Sequence, residues 1–143
     1  MSAEKNKAIV RRYTEEVWNQ GNLAVVDEIF AADFVGHQPG SPDIHGPESL
    51  KQFVAMRRTA WPDLKFTVED QIAEGDKVAT RWTWSGTHEG DLMGIPPTGL
   101  QATATGIGIH RIAGGKIVEQ WVNRDTLGIL QQLGVIPRLG QGE

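Results

Sequence analysis

Residues 116–125 read KIVEQWVNRD and place two carboxylates where they could do acid–base chemistry. The segment is predicted to be a strand, in which side chains two residues apart share a face. Glu119 and Asp125 then lie on one side of the sheet. The same side carries Ile117, Trp121 and Asn123. A carboxyl group shielded from water has a raised pKa and can transfer protons near neutral pH, so Asp125 is the first candidate for a catalytic group.

Two glycines set the pairing of this strand with the one before it. Gly114 and Gly115 suit a two-residue hairpin turn, which needs positive φ at its centre. The resulting ladder pairs Ala113 with Lys116, His110 with Glu119, Gly108 with Trp121, Gly106 with Asn123 and Ala104 with Asp125. Because glycines leave space opposite the larger residues, this face is predicted to be a cavity wall. The opposite face is fuller and is predicted to be packed sheet surface or a subunit contact.

Asp125 also has a purely structural interpretation. It directly precedes TLGILQQLG, a predicted helix, and an aspartate at that place commonly accepts a backbone N–H as the N-cap. The two interpretations predict opposite pKa shifts, since a helix N-terminus lowers the pKa of a carboxyl group whereas burial raises it. From position alone, the cap is the commoner role.

The order of the predicted elements indicates an α+β fold. A helical stripe through Ile9, Tyr13 and Val17 ends at Gly21, and a short helix, LAVVDEIF, follows. After a brief strand and a loop rich in glycine and proline, a third helix begins at Pro47; one of its sides carries Leu50, Phe53, Val54 and Arg57. Four β-rich runs and a last helix complete the chain. This order predicts helices packed on one face of a curved antiparallel sheet.

Length and composition limit the classes of function. A chain of 143 residues fits one domain, residues 1–143, in which residues 134–143 are predicted to be a loose tail. The net charge of −4 argues against nucleic acid as a partner. No run resembles a membrane span or a secretion signal, so a cytoplasmic protein without membrane attachment is predicted. The absence of cysteine excludes disulfides, thiol catalysis and thiolate metal sites.

Four further residues are candidates for a ligand site. His37 and His88 are predicted at a pocket mouth as hydrogen-bond donors or second bases, although a surface or core-edge histidine is the commoner role. Tyr13 either packs in the core or donates to an oxyanion. Met93 lies in EGDLMGIPPTG, which is either a lid or a loop packed against the first helix or a second subunit. The spacing of the histidines predicts no metal site.

Three segments carry a resemblance to a known family. They are TAWPDLKFTVEDQIAEGDKVATRWTWSGTHEG, GIPPTG and HRIAGGKIVEQWVNRDTLGILQQLG. Together they resemble the SnoaL-like polyketide cyclase or ester cyclase group of the nuclear transport factor 2-like superfamily, and the likeness covers residues 5–137. The resemblance implies a cone-shaped sheet wrapped around helices, a deep internal pocket and a homodimer.

The resemblance also implies an activity. Characterised cyclases of this group close a ring by an intramolecular aldol reaction without metal or cofactor, and an aspartate on the last strand acts as acid and base. Asp125 matches that aspartate in the pattern E-x-W-x-x-x-D. The resemblance therefore favours a catalytic Asp125 acting on a hydrophobic carbonyl compound. The residues expected to shape the substrate site are Trp121, Asn123, His37, Tyr13, His88 and Met93.

Two other functions stay open. The same superfamily includes ketosteroid isomerases and epoxide hydrolases, and such a hydrolase is expected to place an arginine between two aspartates. Here Arg124 alternates away from Asp125, so only Arg81 could take that place. A non-catalytic module that binds a small molecule or dimerises would have the same fold.

Overall fold

The computed structural model describes residues 2–137, which form helices packed against one sheet. The helices are α1 (Ala3–Arg12), α2 (Ala24–Ile29), α3 (Gly46–Ala60) and α4 (Thr126–Gln132). The strands are β1 (Phe30–His37), β2 (Ile44–His45), β3 (Lys65–Glu74), β4 (Lys77–Thr87), β5 (Gln101–Ala113) and β6 (Lys116–Arg124). Within residues 2–137, no helix is long and apolar enough to cross a membrane.

The strands form a single six-stranded sheet in the order β2-β1-β6-β5-β4-β3. Neighbouring strands are antiparallel except β1 and β6, which are parallel. The predicted α+β fold, with helices first and an antiparallel meander second, is therefore confirmed. The parallel pair matters for the site, because it brings the loop after β1 beside the end of β6.

The first predicted helix continues beyond α1 with a wider, π-helical winding over Tyr13–Asn19. Such a segment has more than four residues per turn, so positions four and five apart come onto one side. Tyr13, Val17 and Trp18 are accordingly all buried. The wider winding thus accommodates both Val17 and Trp18 on the inner side beside Tyr13.

The inner side of α3 carries an arginine among apolar residues. Leu50 and Val54 are fully buried against the sheet, and Trp61, just after the helix, is 1% exposed. The Trp61 ring packs edge-on against Trp84 of β4, with 4.6 Å between ring centroids. Arg57 was predicted on the same side as Leu50 and Val54, and its guanidinium does enter the space between helices and sheet.

Tryptophans of β4 fill the interior at the point where the sequence predicts empty space. The alternation of side chains along β4 does not by itself show which face of the strand lies inside. In the structure, Trp82 and Trp84 are buried and Arg81 is exposed. Gly106 of β5 lies opposite Trp82, and a Cβ atom at position 106 would overlap the indole ring. The space beside Gly106 is therefore occupied by Trp82 and not left for a ligand.

A β-bulge in β6 overturns the predicted register. Gly114 and Gly115 do form the turn, with φ of +58° and +78°, and Ala113 pairs with Lys116 as predicted. The register then shifts by one residue. The pairs on either side of the shift are Ile112 with Ile117 and Arg111 with Glu119. One extra residue in β6, Val118, produces this shift.

The bulge moves the later side chains of β6 to the other face, because side chains alternate along a strand. His110 pairs with Gln120, Gly108 with Val122 and Gly106 with Arg124. Gln120, Val122 and Arg124 therefore face the helices, where they line an inner cavity. Glu119, Trp121 and Asn123 lie on the outer face. The prediction that these three residues line an internal cavity is wrong.

The predicted loose tail is in part held in place. The Gln131 Nε2 donates to the Pro137 carbonyl (3.3 Å), and the Val135 N–H donates to the Leu130 carbonyl (3.0 Å). Residues 134–137 thus fold back on α4. The rest of the predicted tail, residues 138–143, lies outside the described residues.

Candidate active site

An inner cavity of about 40 Å³ lies between the π-helical segment and the sheet. Its polar lining includes Tyr13, Thr80, His110, Gln120 and Arg124. A space of this size holds about three water molecules and is too small for a polycyclic ligand. No aspartate or glutamate among residues 2–137 lines it. The carboxylate expected deep in the pocket is therefore not there.

His110 is a buried imidazole in this cavity, and the predicted cross-strand pair with Glu119 is wrong. Its Nε2 lies 3.0 Å from the Gln120 Oε1. Since a carbonyl oxygen only accepts, Nε2 carries the hydrogen. The Nδ1 atom is buried without a hydrogen-bond partner among the described residues. Burial lowers the pKa of His110 to about 4, so the ring is neutral at neutral pH.

Tyr13 is buried in the core and lines the inner cavity. Core packing is confirmed, whereas donation to an oxyanion stays a prediction. Its ring centroid is 4.9 Å from that of Phe30 and 5.7 Å from that of His110. Burial raises the pKa of Tyr13 to about 12. The phenol is therefore a hydrogen-bond donor at neutral pH and not a base.

A larger outer groove, about 400 Å³ in volume, adjoins the inner cavity. Its walls are residues 38–41 after β1, residues 125–127 at the start of α4, and Met93 from the loop between β4 and β5. Val122 and Arg124 line both the groove and the inner cavity, so they separate the two spaces. A groove of this volume lies within the usual size range of small-molecule sites.

Asp125 lies in this groove and is also the N-cap of α4. Its Oδ1 accepts a hydrogen bond from the Gly128 N–H (2.9 Å), and its Oδ2 has no partner among the described residues. The structural interpretation of Asp125 is thus confirmed, whereas its predicted place deep in a cavity is wrong, because the side chain is exposed. A Cβ atom on Gly128 would overlap the carboxylate, so glycine at this position lets the carboxylate sit over the helix.

Two arginines lie between the groove and the interior. Their guanidinium carbons are close to the Phe53 ring centroid, at 5.1 Å for Arg57 of α3 and 5.6 Å for Arg124 of β6. Neither forms an ion pair within residues 2–137. Arg124 donates to the Gln38 Oε1 (3.2 Å), and the Nε of Arg57 is buried without a partner among the described residues.

The surroundings of the two guanidinium groups disfavour their charge. Burial, followed by repulsion from Arg124, lowers the pKa of Arg57 to about 10. Burial also lowers the pKa of Arg124. Both groups still carry their charge at neutral pH, so the base of the groove is positive even though the whole chain has a net charge of −4.

His37 lies beside the groove and does not line it. Its Nε2 is 2.7 Å from the Glu119 Oε2, and its Nδ1 is 3.1 Å from the Asp43 Oδ1. The ring stacks on Trp121, with 5.7 Å between centroids. This cluster attaches the loop after β1, which forms one wall of the groove, to the outer face of β6.

We expect the unfolding temperature to fall as the pH rises through the pKa of His37. The hydrogen bond with Glu119, and then that with Asp43, raises this pKa above 6.5. A raised histidine pKa stabilises the folded protein fully below pH 6.5, and the contribution is lost as the pH rises through the folded-state value. Thermal unfolding between about pH 6 and pH 9 should show this loss in the wild type and not in His37→Gln. An imidazole of His37 that titrates at or below pH 6.5 in NMR spectra would contradict the expectation.

His88 and Met93 take different places in one loop. His88 is 0% exposed and its Nδ1 accepts from the Thr98 N–H (3.2 Å), so its predicted place at a pocket mouth is wrong. The loop packs against the end of α3, where two of its N–H groups donate to the Ala60 carbonyl (2.9 and 3.1 Å), and not against the first helix. Met93 is 57% exposed and lines the groove, as the lid interpretation expects.

Arg57 and Arg124 are functional candidates that the sequence patterns do not predict. For Arg57 a signal was present, because it is the charged member of an otherwise apolar helical side. The predicted register places Arg124 on the face of β6 away from the cavity, whereas it lines the inner cavity. The error arises because no local sequence pattern predicts the bulge. Arg81, considered for a hydrolase site, is exposed on the outer sheet face, where it lines a second open groove of about 510 Å³ together with Asp125. Asp125 is the one acidic residue among the described residues that line this groove, so an arginine between two aspartates is not formed there.

N-terminal helices packed against a curved, unclosed six-stranded sheet place the described residues in the class of nuclear transport factor 2-like folds. Within that class, the model of one family, SnoaL-like polyketide cyclase, matches residues 8–133. The chain therefore belongs to the SnoaL-like polyketide cyclase family.

Relatives of known activity support a cyclase-type role. Aklanonic acid methyl ester cyclase of Streptomyces peucetius is 30% identical over 129 residues, which cover 88% of each chain. Nogalonic acid methyl ester cyclase of Streptomyces nogalater is 31% identical over 119 residues, 82% of this chain and 89% of the relative. The solved structure of AclR from Streptomyces galilaeus, a proposed hydroxylase, is similar with a TM-score of 0.85 at 27% identity, over 98% of this chain and 87% of that one.

Proposed function

We propose that this protein closes a ring in a hydrophobic carbonyl compound by an intramolecular aldol reaction, with Asp125 as acid and base and no cofactor. The observation that carries the proposal is the position of Asp125, whose carboxylate lies in a groove large enough for a polyketide-sized ligand. The site is the outer groove and not the inner cavity, which has neither the volume nor a carboxylate.

The proposed reaction needs only proton transfer. The Asp125 carboxylate takes a proton from a carbon next to carbonyl groups, and the electron pair of the C–H bond delocalises into an enolate. The enolate carbon attacks a second carbonyl of the same molecule, which forms a C–C bond and an alkoxide. The alkoxide recovers the proton from Asp125, so the product is an isomer of the substrate.

The hydrogen bonding of Asp125 is compatible with this role. Its Oδ1 is held by the Gly128 N–H, which fixes the orientation of the carboxylate, and its Oδ2 is free of hydrogen bonds to the described residues. Met93, Val122 and Leu127 give the groove an apolar lining. Such a lining suits a hydrophobic small molecule, which is the ligand we propose.

Substitution of Asp125 by asparagine should lower the rate of ring closure at least about 100-fold, the usual contribution of a general acid–base group. Asparagine is as good an N-cap as aspartate, so α4 should keep its start and the protein its stability. The test substrates are aklanonic acid and nogalonic acid, each as the methyl ester and as the free acid, taken from the names of the relatives. Liquid chromatography coupled to mass spectrometry should show a new product with the same mass as the substrate.

The matched control is Asp91→Asn. Asp91 is also exposed and accepts a hydrogen bond from the N–H three residues ahead, that of Gly94 (3.0 Å), but it does not line the groove. The control should keep wild-type turnover. Undiminished turnover by Asp125→Asn would overturn the catalytic proposal.

A second candidate function is ligand binding without turnover. It is favoured by the same hydrogen bond to Gly128, because capping α4 by itself explains an aspartate at position 125. Binding of both methyl esters without any isomer formed would support it.

The predicted homodimer stays a prediction. The outer face of the sheet exposes three isoleucines that a subunit contact could cover, namely Ile72, Ile107 and Ile109, at 66%, 52% and 39%.

A further inference from the structure

We infer that Arg57 and Arg124 form a binding site for a carboxylate, so that the ligand of the groove is an apolar compound bearing a free acid group. This inference specifies the chemical class of the ligand that binds in the groove. It rests on the proposed function, because only that function makes the ligand a substrate. It differs from the names of the two cyclase relatives, which specify methyl esters.

The first support is the absence of a counter-ion. Arg57 and Arg124 form no ion pair with any described residue, although Asp125 lines the same groove. Other arginines of the chain do pair with carboxylates, such as Arg12 with Glu16 at 3.0 Å and Arg111 with Glu119 at 3.1 Å. A charge removed from water is costly unless it is paired with an opposite charge. Two neighbouring arginines without an acidic partner therefore destabilise the fold unless a ligand supplies the anion.

The second support is the proximity of the two like charges. Both guanidinium groups approach one ring, that of Phe53, and each repels the other. The depressed pKa of Arg57 reflects this repulsion as well as its burial. An anion between the groups would relieve both effects, and a carboxylate matches the planar fork of a guanidinium with two parallel hydrogen bonds.

The third support is the direction in which the arginines are accessible. Both residues line the 400 Å³ groove, so a ligand in the groove can reach them. The Nε of Arg57 is itself buried without a partner among the described residues, so it adds to the cost of the unpaired charge and not to the donors that a ligand can reach. Arg124 is held by the Gln38 Oε1, which belongs to the groove wall and orients its guanidinium. Met93, Val122 and Leu127 beside the two positive charges suit an acid with an apolar body.

The test compares 2-naphthoate with its methyl ester, which has the same ring system without the charge. Isothermal titration calorimetry of the wild type at neutral pH and low salt should show 2-naphthoate binding at least about tenfold tighter. Raising sodium chloride to about 0.5 M should weaken binding of the acid and leave that of the ester unchanged, because salt screens the attraction. Equal affinities for acid and ester would overturn the inference.

Arg57→Met and Arg124→Met should each reduce the preference for the acid to less than about twofold, whereas Arg11→Met, at an exposed site on α1, should keep it. Arg57→Met should also raise the unfolding temperature by about 3 °C, because a buried unpaired charge is removed. A merely structural arginine would lower that temperature when replaced. If both groove variants keep the wild-type preference for the acid, the arginines do not form the site.

The inference and the proposed function can fail separately. Asp125→Asn should keep or increase the preference for 2-naphthoate over the ester, since it leaves both arginines in place and removes a negative charge from the groove. Loss of turnover in Asp125→Asn, together with no preference for the acid in the wild type, would refute the carboxylate site alone. A strong preference for the acid, together with full turnover by Asp125→Asn, would refute the catalytic proposal alone.

Discussion

Acidification from neutral pH to pH 4 should remove roughly 3 kcal/mol of unfolding free energy through His110 alone, since its pKa is lowered from 6.5 to about 4 by burial. The sign follows from where protons bind. Below pH 6.5 the unfolded chain takes up a proton at His110, whereas the folded protein resists until about pH 4. The contribution is therefore fully present above pH 6.5 and is lost as the pH falls through this interval.

His110→Gln isolates this effect. The Nε2 of glutamine can replace the imidazole Nε2 as the donor to the Gln120 Oε1, so the buried hydrogen bond persists without a titrating ring. Urea unfolding at several pH values between 7 and 4 should show a smaller loss of stability in the variant than in the wild type, by roughly 3 kcal/mol over the interval.

The control for this experiment is His45→Gln, which removes an exposed histidine from β2. Its unfolding free energy should follow that of the wild type down to pH 4. A His110→Gln protein with the same acid sensitivity as the wild type would show that the His110 ring is not desolvated in the inner cavity.

Replacement of Gly106 by alanine should destabilise the protein by about 2 to 3 kcal/mol, the upper part of the range for overpacking a core. A Cβ atom at this position would overlap the Trp82 indole and press on the Asn123 carbonyl. The Trp82 indole cannot move freely, because it packs edge-on against Phe66 with 5.0 Å between ring centroids. The Asn123 carbonyl cannot move freely either, because it belongs to the backbone of β6. The backbone at Gly106 has no positive φ, so the cost comes from packing and not from strain.

The comparison with Gly108→Ala makes this prediction specific. Gly108 lies on the same strand and face, but a Cβ atom there would meet His110 and Val122 only at 3.4 and 3.5 Å, which is ordinary contact. Chemical denaturation should give a cost below about 1 kcal/mol for Gly108→Ala. In a Trp82→Leu background, the cost of Gly106→Ala should fall by more than half. Similar costs for the two glycine variants would mean that Trp82 does not occupy the space at Gly106.

These two effects bear on where a ligand can bind. If the indole of Trp82 fills the space beside Gly106 and the inner cavity is confined to about 40 Å³ around His110, the interior has no room for a polyketide. The proposed ligand would then bind outside the interior, as in the outer groove where Asp125, Arg57 and Arg124 lie. The sequence predicts a deep pocket with a carboxylate inside it. In the structure, the carboxylate of Asp125 lines the outer groove instead.

Much of the fold was predictable because its signals are local. The helical stripe of Ile9, Tyr13 and Val17, the stop at Gly21 and the glycine turn of the last hairpin depend only on residues near one another in the chain. The N-cap role of Asp125 is equally local, since it needs only a carboxylate and the backbone three residues ahead. The likeness to the SnoaL-like family was also readable in the segments themselves.

By itself, then, the sequence determined the order of the elements, the family and the residue that caps α4. Only the tertiary structure decided which side chains of β6 face the helices, because one extra residue at Val118 reverses every later position and no local pattern predicts where a strand bulges. It also decided the character of the groove. Whether an arginine is paired depends on which groups the fold brings around it, and around Arg57 and Arg124 the described residues place an aromatic ring and an amide but no paired acid.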